Sequence, residues 1–211
     1  TKKINAQRFF ILLCLLVLFS GGSPFVGLTT MYIKPLVEIA AFQLNDRLDQ
    51  QQWPSDFLAK ELEKLPANLK DCLRKLYLKH RRLPQDASKV NVYLPKLLHE
   101  KVLELDLGEV QLMPDLRWLS KCSRLRMLSL QKSFSTHASE SCNVHEVLKN
   151  LSHLEVLHLQ YTGDTITDET IASMSLNCPR LRELDLGHCI AITDIGFENL
   201  RYSSIFTVIA Y

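Results

Sequence analysis

The chain has 211 residues, a formal net charge of +2, 46% hydrophobic residues and 23% charged residues. That balance excludes a disordered polyelectrolyte and lacks the strong basic bias of a nucleic-acid-binding surface. Six cysteines without Cys-x-x-Cys spacing exclude the common zinc and thioredoxin-like patterns.

The first segment, residues 1–34, is an apolar leader. Lys2, Lys3 and Arg8 precede an uncharged run from Phe9 to Ile33, broken by Ser20-Gly21-Gly22-Ser23-Pro24. A basic start, an apolar core and small residues describe a signal peptide, and the whole run is also long enough for a membrane segment. A third reading makes Met31 the true start and the leader a gene-model artefact.

Residues 35–72 read as a helical N-terminal cap. Apolar residues recur at Leu36, Ile39, Ala40, Leu44 and Leu48 behind Pro35, a helical period with proline in the first turn. Ser55 can cap a second helix reaching Leu65, and Pro66 opens a third that leads into the repeats.

Residues 73–211 read as leucine-rich repeats, incomplete at the C-terminus. The spacing LxxLxL occurs at Leu73-Leu76-Leu78, Val102-Leu105-Leu107, Leu125-Leu128-Leu130, Leu154-Leu157-Leu159 and Leu181-Leu184-Leu186, with a weaker copy at Ile205-Val208-Ala210. The central positions 76, 105, 128, 157, 184 and 208 are 23 to 29 residues apart, within the range of such repeats. In the best-formed copy Cys189 follows Leu186 at the turn position, and Thr193 or Asp194 caps a helix reaching Leu200. Ile166-Thr167-Asp168 and Ile192-Thr193-Asp194 repeat the helix entry. Pro114 is expected to open a helix in the second repeat, and residues 133–143 a polar surface loop. The expected fold is therefore α/β: a leucine-rich repeat solenoid with a curved parallel sheet on its concave face, helices on its convex face, and the helical cap at its start.

One repeat buries its leucines and turns the flanking residues outward. The predicted partner-binding residues on the concave face are Glu104 and Asp106, then Met127, Ser129 and Gln131, then Val156, His158 and Gln160, then Glu183 and Asp185. The same logic places Lys75, Tyr77 and Lys79 outward in the first copy. The basic residues Arg74, Lys75, Lys79, Arg81 and Arg82 are expected to form a solvated face. No phosphate loop, nucleophile elbow, HExxH motif or metal-spaced Cys/His set is present, and adjacent residues such as His188 and Cys189 should point to opposite faces. The chain is expected to be non-enzymatic and to need no cofactor and no metal.

Three stretches together carry a family resemblance: Leu65-Pro66-Ala67-Asn68-Leu69-Lys70-Asp71, His99-Glu100-Lys101-Val102-Leu103-Glu104-Leu105-Asp106-Leu107, and Asn177-Cys178-Pro179 through Asp194. The chain resembles the antagonist of mitotic exit network protein family, among the cysteine-containing leucine-rich repeats of F-box proteins. Val110, Ser133 and Thr162 stand where that pattern often has Cys. The resemblance implies protein binding without catalysis. Its implied partners are ubiquitin-ligase subunits of the SCF type or a degradation substrate, with a mitotic-exit GTPase as another target, and no nucleic acid. Leu65-Pro66 is similar to the start of an F-box, but the repeat strand expected from Leu73 leaves no room for a complete one downstream, and the helices from Pro35 to Leu65 match one poorly upstream. Cysteines at repeat positions favour a cytoplasmic or nuclear location. A genuine leader would instead make the chain a membrane-anchored or secreted recognition protein, with a membrane contact through residues 9–33.

Overall fold

The computed structural model describes residues 60, 62–80, 87–110, 112, 115–134, 144–200 and 207–210. The apolar leader, the helix expected from Pro35 and Pro114 lie outside the described residues. So do Arg81, Arg82 and most of the loop expected over residues 133–143.

The fold is α/β, with a five-stranded parallel sheet in the order β1-β2-β3-β4-β5. The strands are Glu104–Asp106 (β1), Met127–Ser129 (β2), Val156–His158 (β3), Glu183–Asp185 (β4) and Thr207–Ile209 (β5). Leu105, Leu128, Leu157, Leu184 and Val208 stand opposite one another across the sheet. The four leucines are at most 1% exposed, whereas Val208 is 42% exposed. A second buried row, Leu107, Leu130, Leu159 and Leu186, follows the strands. Alternation explains both rows, because every second side chain of a strand lies on the same face.

Between strands the chain crosses the buried side through a 3-10 turn, Arg117–Lys121 (η1), and through helices that differ in length. Those helices, in chain order after the two described next, are Val144–Leu148 (α3), Asp168–Asn177 (α4) and Asp194–Leu200 (α5). Each packs on its predecessor: α3 on η1, α4 on α3, α5 on α4. Thr193 caps α5, its Oγ1 accepting the Ile195 N–H at 3.2 Å. Asp168 does not serve its own helix. Its carboxylate reaches to the start of α5 and accepts the Thr193 N–H at 2.8 Å and hydroxyl at 2.6 Å. These bonds hold the Asp168 carboxyl below its ordinary pKa. Gly196 makes this approach possible, since a Cβ there would stand 2.4 Å from Asp168 Oδ1.

The first expected repeat is absent as a strand. Leu73, Leu76 and Leu78 lie within the helix Ala67–His80 (α1), followed by Ala87–Leu97 (α2). The physical reason lies in what precedes each leucine triplet. Cys122-Ser123-Arg124, Leu151-Ser152-His153 and Cys178-Pro179-Arg180 turn the chain before β2, β3 and β4. No such turn precedes Leu73, and Leu69, Leu73 and Tyr77 recur at helical spacing and are all buried. Tyr77 therefore does not face outward: it is 1% exposed and meets Tyr93 of α2 edge-on at 6.5 Å. Arg74, expected on a solvated face, is 7% exposed. Its Nη1 donates to the Glu104 carbonyl at 3.0 Å and its Nη2 to Asp71 at 2.9 Å. The first of these occupies a carbonyl on the edge of β1 that has no strand beside it among the described residues.

Leu184→Ala is expected to destabilise the chain by about 2–5 kcal/mol, through the cavity it leaves in the leucine row. Val208→Ala, at the same register but half exposed, should cost under about 1.5 kcal/mol. Urea melts of the two variants check the gradient, and equal losses would contradict it.

Candidate functional site

Register places the predicted outward residues in two rows on the face opposite the leucines. Glu104, Met127, Val156 and Glu183 form one row; Asp106, Ser129, His158 and Asp185 form the other. Gln131 and Gln160 follow β2 and β3 and are half-buried. Glu104 and Asp106 are exposed, and Met127, Val156, His158 and Glu183 are half-buried. Two residues depart from the expectation. Ser129 is 6% and Asp185 4% exposed. Ser129 is short and lies close beside Gly108. Asp185 is enclosed by its own bonds: Oδ1 accepts the Gly187 N–H at 3.0 Å, and Oδ2 accepts the Gln160 side-chain amide. Neighbouring His158 Nε2 and Glu183 Oε1 pair at 3.1 Å. The β3–β4 end of the face is thus joined by cross-strand side-chain bonds, while at the β1 end Asp106 Oδ1 accepts the Gly108 N–H at 2.9 Å and stays exposed.

The β1 end borders a groove of about 700 Å3 between α1 and β1. Lys75 and Leu78 line it from the helix, and Lys101, Leu103, Glu104 and Asp106 from the strand and the turn before it. Leu103 is 45% exposed. Asp71, at the back of the groove, is taken up by Arg74 and by His99 Nε2 at 3.2 Å.

After each strand the backbone makes the same turn, and here the structure shows what the leucine spacing conceals. Glu109, Lys132, Tyr161 and His188 all adopt positive φ, 62°, 53°, 56° and 60°. Each is exposed. Together they form one column: Lys132 pairs with Glu109 at 3.8 Å, its ammonium lies 5.1 Å from the Tyr161 ring, and that ring stacks on His188 at 4.3 Å. Left-handed backbone is costly for residues with a Cβ. The sequence signal misleads, because Gly108 and Gly187 stand one position earlier, at residues without positive φ.

The next residue of each turn points inward. Val110, Ser133, Thr162 and Cys189 occupy equivalent places. Ser133 Oγ donates to the Leu107 carbonyl at 2.6 Å, Thr162 Oγ1 to Leu159 at 2.7 Å, and Cys189 Sγ to Leu159 at 3.1 Å. Ser133 is therefore fully buried rather than part of a surface loop. His188 stacks on Tyr161 at the surface, while Cys189 turns its thiol to the Leu159 carbonyl. Burial pushes the Cys122 thiol up to about 11 and the Cys178 thiol up to about 12, and raises Cys189 as well. Cys122, Cys178 and Cys189 are free thiols. Among the described residues no group of three or more His, Cys, Asp or Glu could hold a metal ion. None of the described helices is long and apolar enough to cross a membrane. No protein-family model and no curated protein matches the chain.

Two outcomes are expected. Cys189→Ser should lie within about 1 kcal/mol of the wild type, because Ser133 already shows that a hydroxyl finds a carbonyl at this turn, while Ser133→Ala should cost about 0.5–1.5 kcal/mol. The buried thiols should also make folding pH-dependent on the alkaline side. Their folded pKa values lie above the ordinary value of 9.0, near 11 and 12. Their contribution is complete below the unfolded pKa and is lost as pH rises from about 9 toward those values. Denaturant melts between pH 8 and 11 check this: replacing both Cys122 and Cys178 with alanine should flatten the alkaline decline.

Proposed function

We propose that the chain is a non-catalytic protein-interaction module built as a leucine-rich repeat solenoid, whose partner lies across the outward face of β1–β4. The observation that carries this reading is the alignment of unlike side chains, Glu104, Met127, Val156 and Glu183, in one register-fixed row on the face of the sheet opposite the buried leucines. A rigid parallel sheet holds such a row without an ordering cost at binding, which favours recognition of a folded or extended partner. The resemblance to cysteine-containing repeats of F-box proteins supports a ubiquitin-ligase subunit or a degradation substrate as the partner. Free thiols at Cys122, Cys178 and Cys189 support a reducing compartment, cytoplasmic or nuclear.

The test is affinity capture with the full chain and with a Val156→Asp, His158→Ala variant. The variant should keep the wild-type urea midpoint and lose the specific partner by about tenfold or more. A partner retained at full strength by a stably folded variant would remove this face from consideration.

A further inference from the structure

Resting on the reading of an interaction module, though not on the outward face of the strands, we infer that the column of turn residues is a second recognition ridge. Its Tyr161–His188 end takes an uncharged, apolar segment of a protein partner. Glu109, Lys132, Tyr161 and His188 are all exposed, and each stands in left-handed backbone. Glycine or asparagine enters that region at least cost. Four turns in succession instead carry a long or aromatic side chain. The exposed ion pair of Lys132 with Glu109, at 3.8 Å, returns little stability and does not account for them. Disfavoured backbone kept turn after turn at the surface points to side chains held for what they present.

The ridge is also fixed in place. Strand order sets Tyr161 between Lys132 and His188, with the ammonium 5.1 Å from the ring centroid and the imidazole stacked at 4.3 Å. Further along the same two turns, the Ile190 N–H donates to the Gly163 carbonyl at 3.2 Å. A partner therefore meets groups that need little ordering at binding. Charge and exposure decide what that partner is. The Lys132 ammonium is shared between the Glu109 carboxylate and the Tyr161 ring. Asp164, exposed on the turn after β3, adds a negative charge. Nucleic acid or an acidic tail thus finds no surplus of cations here. What the turns after β3 and β4 leave uncovered is apolar: Tyr161 is 45% and Ile190 79% exposed. On the same pair of turns, no atom other than its chain neighbours comes within 4 Å of where a Cβ on Gly163 would stand. A partner side chain can approach the backbone there. Exposed aromatic and aliphatic groups on rigid turns suit an aliphatic or aromatic anchor, the contact type that dominates protein interfaces.

A random-peptide phage library selected on the immobilised full chain tests the idea, with selected peptides then measured by fluorescence anisotropy. The expected result is enrichment of uncharged peptides rich in aromatic or aliphatic residues, whose affinity barely changes as salt is raised. The deciding variant is Tyr161→Gly, His188→Gly, which removes both rings where glycine fits the backbone. Peptide affinity should fall by about tenfold or more in this variant and about threefold or more in Ile190→Ser. Both should keep a urea midpoint at or above that of the wild type. A glycine variant that loses midpoint yet keeps the peptides would assign the column to folding alone and overturn the inference. If it loses both, Ile190→Ser decides, because a side chain 79% exposed can be removed without disturbing the core. Full affinity in that variant overturns the inference. Enrichment of acid-only or base-only peptides, salt-sensitive binding or no enrichment would each overturn it too. Peptides that lose affinity in Val156→Asp, His158→Ala but not in the glycine variant would overturn the ridge while leaving the outward face as the binding surface.

Discussion

Every strand of this sheet is three residues long, and β1 to β4 each bury one central leucine, so no strand–helix unit can bury its own apolar surface. The parallel register that sets Leu105, Leu128, Leu157 and Leu184 side by side is the constraint on which the rest depends. It supplies Leu128, Leu157 and Leu184 with neighbours on both sides and Leu105 with one, and it fixes which residues of β1 to β4 face outward. It also tolerates variety elsewhere. The crossings range from the five-residue turn η1 to the ten-residue helix α4, because their lengths need only return the chain to the next register position. At β5 the row loses its second neighbour among the described residues, and Val208 is correspondingly exposed.

The turn after each strand is the second fixed element, and it combines two opposite demands. One residue must enter the left-handed region, at a cost of roughly 1–2 kcal/mol for a residue with a Cβ. The next must be small enough to point inward beside the previous unit's carbonyl. Val110, Ser133, Thr162 and Cys189 all meet the second demand, so a valine, two hydroxyls and a thiol are interchangeable there. What they share is modest volume; the hydrogen bond is an addition that Val110 does without. Glu109, Lys132, Tyr161 and His188 recover part of the backbone cost through the ion pair, the cation over the ring and the ring stack that join consecutive turns.

The strands β1 to β4 and the order of the crossings were legible from leucine spacing because a turn residue pair precedes each triplet. The spacing alone was insufficient at Leu73, where LxxLxL is equally compatible with one face of a helix. There the uninterrupted run from Ala67 and the buried positions Leu69, Leu73 and Tyr77 decide for the helix. Burial of Ser129 and Asp185 was not legible, since it depends on cross-strand partners, Gly108 and Gln160, rather than on position along a strand. The positive-φ column was concealed for a related reason. Glycine, the usual mark of that backbone, stands one residue too early at Gly108 and Gly187, so the turn chemistry points to the wrong residue.

The two halves of the outward face differ in what they have left to offer a partner. Over β3 and β4 the polar groups are already matched, His158 with Glu183 and Gln160 with Asp185. A partner docking there must either break those bonds, leaving Asp185 Oδ2 buried without the Gln160 amide, or accept the surface as it is. Over β1 the bonding is local, with Asp106 Oδ1 accepting the Gly108 N–H at 2.9 Å. Glu104 and Asp106 are exposed, and Arg74 is the group withdrawn into the interior, where it holds the strand edge. The α1 helix therefore does two things at once. It brings Arg74 to the Glu104 carbonyl on the edge of β1, and with that strand it walls a groove. Specificity is cheapest to build where charges are exposed and held by rigid elements, and at the junction of α1 with β1 the exposed Lys75 of the helix and Glu104 of the strand line one groove.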